Sequence, residues 1–533
     1  GRLGHSRGNV LLFQANQEPG WRFGERIGIL MELKRRIGVI IVCGIPAIVG
    51  SGLLWELSEK WLTVYGYLFL LAATLLVFLI PPQMKVKLKQ GLQAASEAVE
   101  SSPRFYVWLS VLAAFILLAG YALIASLVLS MEILEFSLQI PWATLVSSYT
   151  WLVVAGSGLC IINALGGVFG MHRYEMMSKR IVFLSLTTIM FGLMFILFHL
   201  GRPERMPIQN AISPNFRSAI AWMGMLYNIY LVIVVVELWL LIRADLAERA
   251  EQAEGWKRDI LRLLALKDLN DSRLGGILQK MRLDRLLYHP RLHRILDDPR
   301  LPRITATMAF ITGVAALTML GSVFAHAEAR ALWYGPYYPI YFLVSALFTG
   351  YGVLLAATII TYRVKGEEMS SESKALMFEM AQVLALLLAV GFALTSYRLV
   401  TGLFDPLRQG PTLFILKGPL SPAFWIFEVG LMSVLPSFIL LRAAKKKSLG
   451  GVLAGSLMVL VGAFVMRYLF LVGGQIYPNV FPRLSQDLPT ILPSYMPTIT
   501  EVFLIVGIFS GFLLAYTLGE RFLPLKEEGT EHA

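Results

Sequence analysis

The chain is predicted to be an all-α protein that crosses a membrane about twelve times. Three observations carry this prediction. Of its 533 residues, 56% are hydrophobic and only 15% charged, against about a quarter charged in an ordinary soluble domain. The mean hydropathy is +0.65. Predominantly apolar runs of ~20 residues, the length that crosses a bilayer as a helix, recur at 37–55, 62–81, 105–130, 142–169, 181–200, 218–242, 304–326, 340–362, 375–397, 421–441, 450–471 and 499–518.

The links between these runs set an orientation. With the N-terminus on the cytoplasmic side, 37 of the 47 Lys and Arg fall in cytoplasmic segments, and excluding the long insertion 243–303 the bias is still 23 to 10. Positive charge near span ends stays inside, so both termini are expected in the cytoplasm, with the chain in the cytoplasmic (inner) membrane. The net charge of +12 is thereby explained by topology and makes no case for nucleic acid. Residues 1–36 read as a polar cytoplasmic segment without the apolar core of a signal peptide. The insertion mixes charge signs, and RDILRLLALKDL has helical apolar spacing, which suits a short helix against the membrane surface or a cytoplasmic partner.

Cys43 and Cys160 are the only cysteines, too few for an iron–sulfur cluster, and no CxxCH is present for covalent haem. Their surroundings read as membrane packing. GSGLCI lies within a span rather than after a strand, so it is no dinucleotide loop; Gly156, Gly158, Gly166 and Gly167 read as close helix packing. Two links on the expected outer side, 331–339 and 471–498, are rich in proline and aromatics. They read as a cap over the helices or as a docking surface, with Trp333, Tyr334, Tyr337 and Tyr338 at headgroup depth.

Ionisable groups at membrane depth are costly and so are functional candidates. His199 and His326 end their spans at similar expected depth on the outer side, beside Arg202 and Arg205 in HLGRPER. A quinone needs a hydrogen-bond partner for each carbonyl and a group that exchanges protons near neutral pH, which histidine does. Ser148 and Tyr149, about two turns into their span, supply the second partner. The two histidines alternatively suit one outer b-type haem, although the remaining histidines fall in cytoplasmic segments. Glu428 and Arg467, each within about two turns of the outer surface, are read as an intramembrane ion pair or as part of a proton path. Glu379 and Glu237, near the cytoplasmic ends, either begin a proton path or reach out to water.

An ordered set of stretches carries a family resemblance. PW opens the fourth span, AGSG follows, and HLGRPER closes the fifth; SPNFRSAIAWMG and LYNIY enter the sixth, and ALWYGPYYPIYFLVSALFTG the eighth. WIFEVGLMSVLP, VGAFVMRYLFLVGGQ and LPSYMPTITE complete it, over about 130–520. The chain resembles the NrfD-like membrane subunits, the family of polysulfide reductase, HybB, DsrP and alternative complex III. The resemblance implies two four-helix bundles, at 142–326 (interrupted by the insertion 243–303) and 340–471. It leaves three additional N-terminal helices in 37–130, a periplasmic loop at 472–498 and a C-terminal helix and tail at 499–533. It also implies menaquinone or ubiquinone bound near the outer surface, with Tyr227 of LYNIY joining His199, Arg202, Tyr149, Ser148 and His326. The implied partner is a periplasmic ferredoxin-like iron–sulfur subunit, with a cytochrome c, molybdopterin or other catalytic subunit beyond it. The expected activity is quinone oxidation or reduction with coupled proton transfer, His199 standing where relatives commonly carry aspartate and no metal centre lying in this chain. The rival reading is a twelve-helix secondary transporter, against which PPQMKVKLKQG lacks the Asp–Arg–Gly signature expected after its second span.

Overall fold

The computed structural model describes residues 103–129, 140–200, 203, 205–207, 212–267, 290–477, 493 and 495–525. Among them, ten helices are long and apolar enough to cross a membrane. They are α1 (Pro103–Leu129), α2 (Thr144–Gly167), α3 (Ser178–His199), α4 (Ala219–Gln252), α5 (Leu301–Ala325), α6 (Tyr337–Lys365), α7 (Ser371–Phe404), α8 (Ser421–Lys445), α9 (Leu449–Ile476) and α10 (Ile499–Phe522). Each coincides with one of the last ten runs read from the sequence. The first two runs, with Cys43, lie outside the described residues.

The helices form two four-helix bundles. In the first, α2 packs against α3 and α5, and α4 closes the group against α5 and α3. In the second, α6 and α8 each pack against α7 and α9. Helix α2 belongs to both, because it also lies along α6 and α9. Its central window is 89% buried, against 17% for α1, which packs along α10 at the side of α3.

Without a hydrophobic force between helices in lipid, close backbone approach decides which helices pair. A Cβ on Gly158 would sit 1.8 Å from the Ala346 carbonyl oxygen, and one on Gly350 would sit 2.8 Å from the Gly158 carbonyl carbon. The two backbones touch here, and only glycine fits on either side.

The two ends of the molecule differ chemically. One, the basic end, is tied by ions. Glu520 accepts from Arg180 and Lys365 at 2.8 Å each and from Tyr516 at 3.0 Å, joining α3, α6 and α10. Lys179 pairs with Asp245 at 2.8 Å. The other, the aromatic end, is tied by rings and amides. Trp142 stacks on Trp333 at 5.5 Å, and Trp333 donates to the Phe470 carbonyl at 2.8 Å. Gln475 bonds both the N–H and the carbonyl of Trp142. Trp333 and Tyr338 are each only 3% exposed, so they pack inside this cap and are not headgroup anchors; Tyr334 is the exposed one.

Helix α4 continues past the expected span end to Gln252, and the short helix Gly255–Leu264 folds back on it. Trp239 donates to the Leu264 carbonyl at 2.7 Å and Arg243 to the Ala265 carbonyl at 3.1 Å.

Gly158→Ala is expected to destabilise the protein by about 1–3 kcal/mol or more, because a backbone oxygen cannot move aside as a side chain can. Gly120→Ala, where a Cβ meets nothing within 4 Å, serves as the control. The aggregation temperature in detergent should fall for the first variant and hold or rise for the second.

Candidate functional site

The first bundle contains a row of polar side chains inside an apolar core. Tyr149, one and a half turns into α2, is 3% exposed, and its hydroxyl reaches only the Met223 thioether of α4, at 3.5 Å. Two turns deeper, the Tyr227 and Ser157 hydroxyls lie 3.3 Å apart. Tyr230 and Ser185 follow at 2.7 Å, with Ser185 also donating to the Gly156 carbonyl at 2.9 Å. Beyond them the Asn163 amide donates to Glu237 at 2.8 Å, the glutamate being 3% exposed. The Cys160 thiol lies beside the Tyr230 ring, since a Cβ on Gly313 would touch both. From Tyr149 to Asn163 is fourteen residues of one helix, ~21 Å at 1.5 Å per residue, most of the ~30 Å hydrocarbon core. Hydroxyls, a thiol and a carboxyl at such intervals can relay protons.

The helices dictate this row. Residues 149, 157, 160 and 163 recur at helical spacing on α2, and 227, 230 and 237 do so on α4, so two faces meet tyrosine to serine and asparagine to glutamate. Ser148 turns instead to its own helix, donating to the Thr144 carbonyl at 2.9 Å.

The expected site residues are distributed as follows. His199 is the last residue of α3 at the aromatic end and is half-buried. His326 caps α5 at the same end, exposed, its ring bonded to the Ser322 carbonyl at 2.7 Å. Neither His326, Tyr149 nor Ser148 hydrogen-bonds His199. Arg202 lies outside the described residues. Glu379 is exposed at the basic end and pairs with Arg173.

Glu428 and Arg467 face one cavity in the second bundle but do not bond each other: Arg467 donates to Ser345 and stacks on Phe342 at 4.1 Å. Sequence reasoning missed their third partner, Arg398, because the apolar run stopped at 397. Helix α7 carries on to Phe404 and brings Arg398 to the same cavity. Tyr230, Ser157, Ser185 and Asn163 were missed as well; Ser157 and Asn163 share a helical face with Tyr149, and Tyr230 with Tyr227, whereas Ser185 sits alone on α3 and had no such signal.

One buried carboxylate braces the start of α2. Glu501 of α10 accepts from the Leu145 N–H at 3.1 Å and from the Tyr495 hydroxyl, which also contacts Thr144 Oγ1 at 2.9 Å. An anion at a helix N-terminus is favourable. Burial and the Glu501 charge push the Tyr495 phenol up, so it stays a donor.

A family model described as "Polysulphide reductase, NrfD" matches residues 132–479. A subunit of the selenate reductase of Mesobacillus selenatarsenatis is 25% identical over 388 residues, 72% of this chain and 86% of its own. The Hdr-like menaquinol oxidoreductase integral membrane subunit of Archaeoglobus fulgidus is 21% identical over 436 residues, covering 80% and 95%.

Tyr495→Phe should cost about 1–3 kcal/mol, since it removes one donor from buried Glu501. Thermal unfolding in detergent checks this, and an unchanged transition would remove the brace from the account of α2.

Proposed function

This chain belongs to the NrfD polysulphide reductase family, and on that premise we propose that it is the quinone-binding membrane subunit of a multi-subunit respiratory oxidoreductase. In this reading the first bundle takes menaquinone or ubiquinone at the aromatic end, which faces the periplasm. Electrons pass between that quinone and a periplasmic iron–sulfur subunit, while protons move through the bundle. The observation that carries it is the buried polar row from Tyr149 to Glu237, which an apolar bundle built only for support would not hold.

The residues fit a quinone. Among the described residues the Tyr149 hydroxyl has only a thioether as acceptor, a weak one, so it is free to donate to a ligand carbonyl. His199 ends α3 at the same end, where water and the bundle interior meet. When bound, a quinone supplies a couple of two electrons and two protons. Tyr149 would orient the headgroup, with Tyr227 behind it and His326 at the rim. His199 would exchange a proton between the headgroup and the periplasmic face. Glu237, held by Asn163, would hold a proton at the far end of the row. The names of the relatives support this reading, one being a selenate reductase subunit and the other the integral membrane subunit of a menaquinol oxidoreductase.

His199→Ala should lower quinone turnover by about 10²-fold or more, the usual worth of a general acid or base, with thermal stability unchanged. Wild-type quinone kinetics in that variant would overturn the assignment. In Glu237→Gln the amide oxygen still accepts from Asn163, so the fold should persist. Proton uptake coupled to turnover, followed with a pH dye in proteoliposomes, should slow at least tenfold; equal rates would leave Glu237 a packing residue.

A further inference from the structure

The second bundle holds ionisable groups that the reading above does not use. Glu428 of α8, Arg398 of α7 and Arg467 of α9 line one cavity of about 30 Å³, together with Tyr338 and Tyr341 of α6. No other ionisable side chain lines it among the described residues. Both guanidinium groups are engaged away from the carboxylate. Arg467 donates to Ser345 and covers the Phe342 ring. Arg398 donates to the Tyr338 hydroxyl at 2.8 Å and lies over the Tyr337 and Tyr338 rings. Glu428 is 6% exposed, and among the described residues no side chain donates to its carboxylate; the two arginines act on it through space alone.

A buried carboxylate without donors is unfavourable unless water solvates it or a proton neutralises it. The cavity admits both. At ~10–15 Å³ per water, its volume has room for about two. A second cavity of about 30 Å³ shares Tyr338, Arg398 and Ile415 with the first and runs past Tyr337 to Tyr334 and Arg408. Tyr334 is 44% exposed at the aromatic end, so the pair of cavities leads from Glu428 toward solvent. Two buried polar atoms on this route, Arg398 Nε and Tyr337 Oη, have no protein partner among the described residues, as expected of groups that bond water.

The backbone is also unusual here. Residues Phe424–Val434, with Glu428 among them, form a π-helix, and a second π turn, Leu469–Gly473, follows Arg467 by two residues. Such turns are rare and concentrate at functional sites. Pro436 explains the first: it has no N–H to give and its ring would strike the Met432 carbonyl in an α-helix.

We propose that Glu428 is a proton-binding site of the second bundle that exchanges with the aqueous phase at the aromatic end through a passage of water past Arg398. The carboxylate takes a proton from a hydronium in the passage to give the neutral acid and a water, and returns it by the reverse step; no electron moves. The site lies in a different bundle from the proposed quinone residues, so its test stands whether or not the first bundle takes quinone.

The test is infrared difference spectroscopy of the full chain in lipid, titrated with acid and then exposed to D₂O. One component of the buried carboxylic-acid absorption should grow as pH falls, and that band should vanish in Glu428→Gln and persist in Glu237→Gln. Ile415→Trp, which fills the junction of the two cavities, should slow its deuterium shift at least tenfold. Should Glu428→Gln fail to fold, Glu428→Asp should move the band instead. A band that survives Glu428 replacement, one that never titrates, or exchange in Ile415→Trp as fast as in wild type overturns the proposal.

Discussion

The contact on which the rest of the structure depends is that of two backbones, where Gly158 of α2 meets the Ala346 carbonyl and Gly350 of α6. It places α2 at the seam of the two bundles, where it also donates to α9 through Trp151 and the Leu460 carbonyl. A helix so enclosed has no lipid-facing side, so its serines, tyrosine and asparagine must find partners on other helices or on its own carbonyls. The serines do, and Asn163 donates to Glu237, while Tyr149 reaches only a thioether; the row of polar groups in the first bundle is the result. Packing and chemistry therefore share one helix.

The spans were legible because a run of twenty apolar residues suits few settings besides a bilayer, and every described run became a helix. The charges at their edges were less so. A charge close to the edge of an apolar run is naturally taken as its end, and three residues excluded in that way, Arg180, Arg398 and Glu520, are within or at the ends of membrane helices, two of them nearly inaccessible. Their partners come from distant helices, and no local pattern announces a neighbour 340 residues away, as Glu520 is for Arg180. Tyr149 and Glu237 stood out as polar groups in apolar runs and Tyr227 through the family resemblance, whereas Ser157 and Ser185 did not, since a serine can satisfy its own helix. Only the tertiary pairing of α2 with α3 and α4 gives those hydroxyls tyrosine partners.

The two ends hold the bundles together in different ways. At the basic end, Glu520 collects two cations and a phenol, an arrangement that ionic partners of fixed geometry make specific. At the aromatic end, Trp142, Phe324, Trp333 and Phe470 interlock edge to face and face to face, and amide and guanidinium groups of Gln475 and Arg330 fasten the stretches of chain between them. A stiff apolar lid over the helix mouths is compatible with chemistry near that surface, because it limits water to the openings between rings.

The π-helical stretch in α8 has a consequence for how such a chain changes over time. A π turn differs from an α turn by a single inserted residue, and every side chain beyond it is swung by about 100° around the axis. The direction in which the end of α8 presents its residues to α7 and α9 thus hangs on one codon. Lineages that lose or gain that codon would trade the neighbourhood of Glu428 for another without altering a single amino acid on the facing helices.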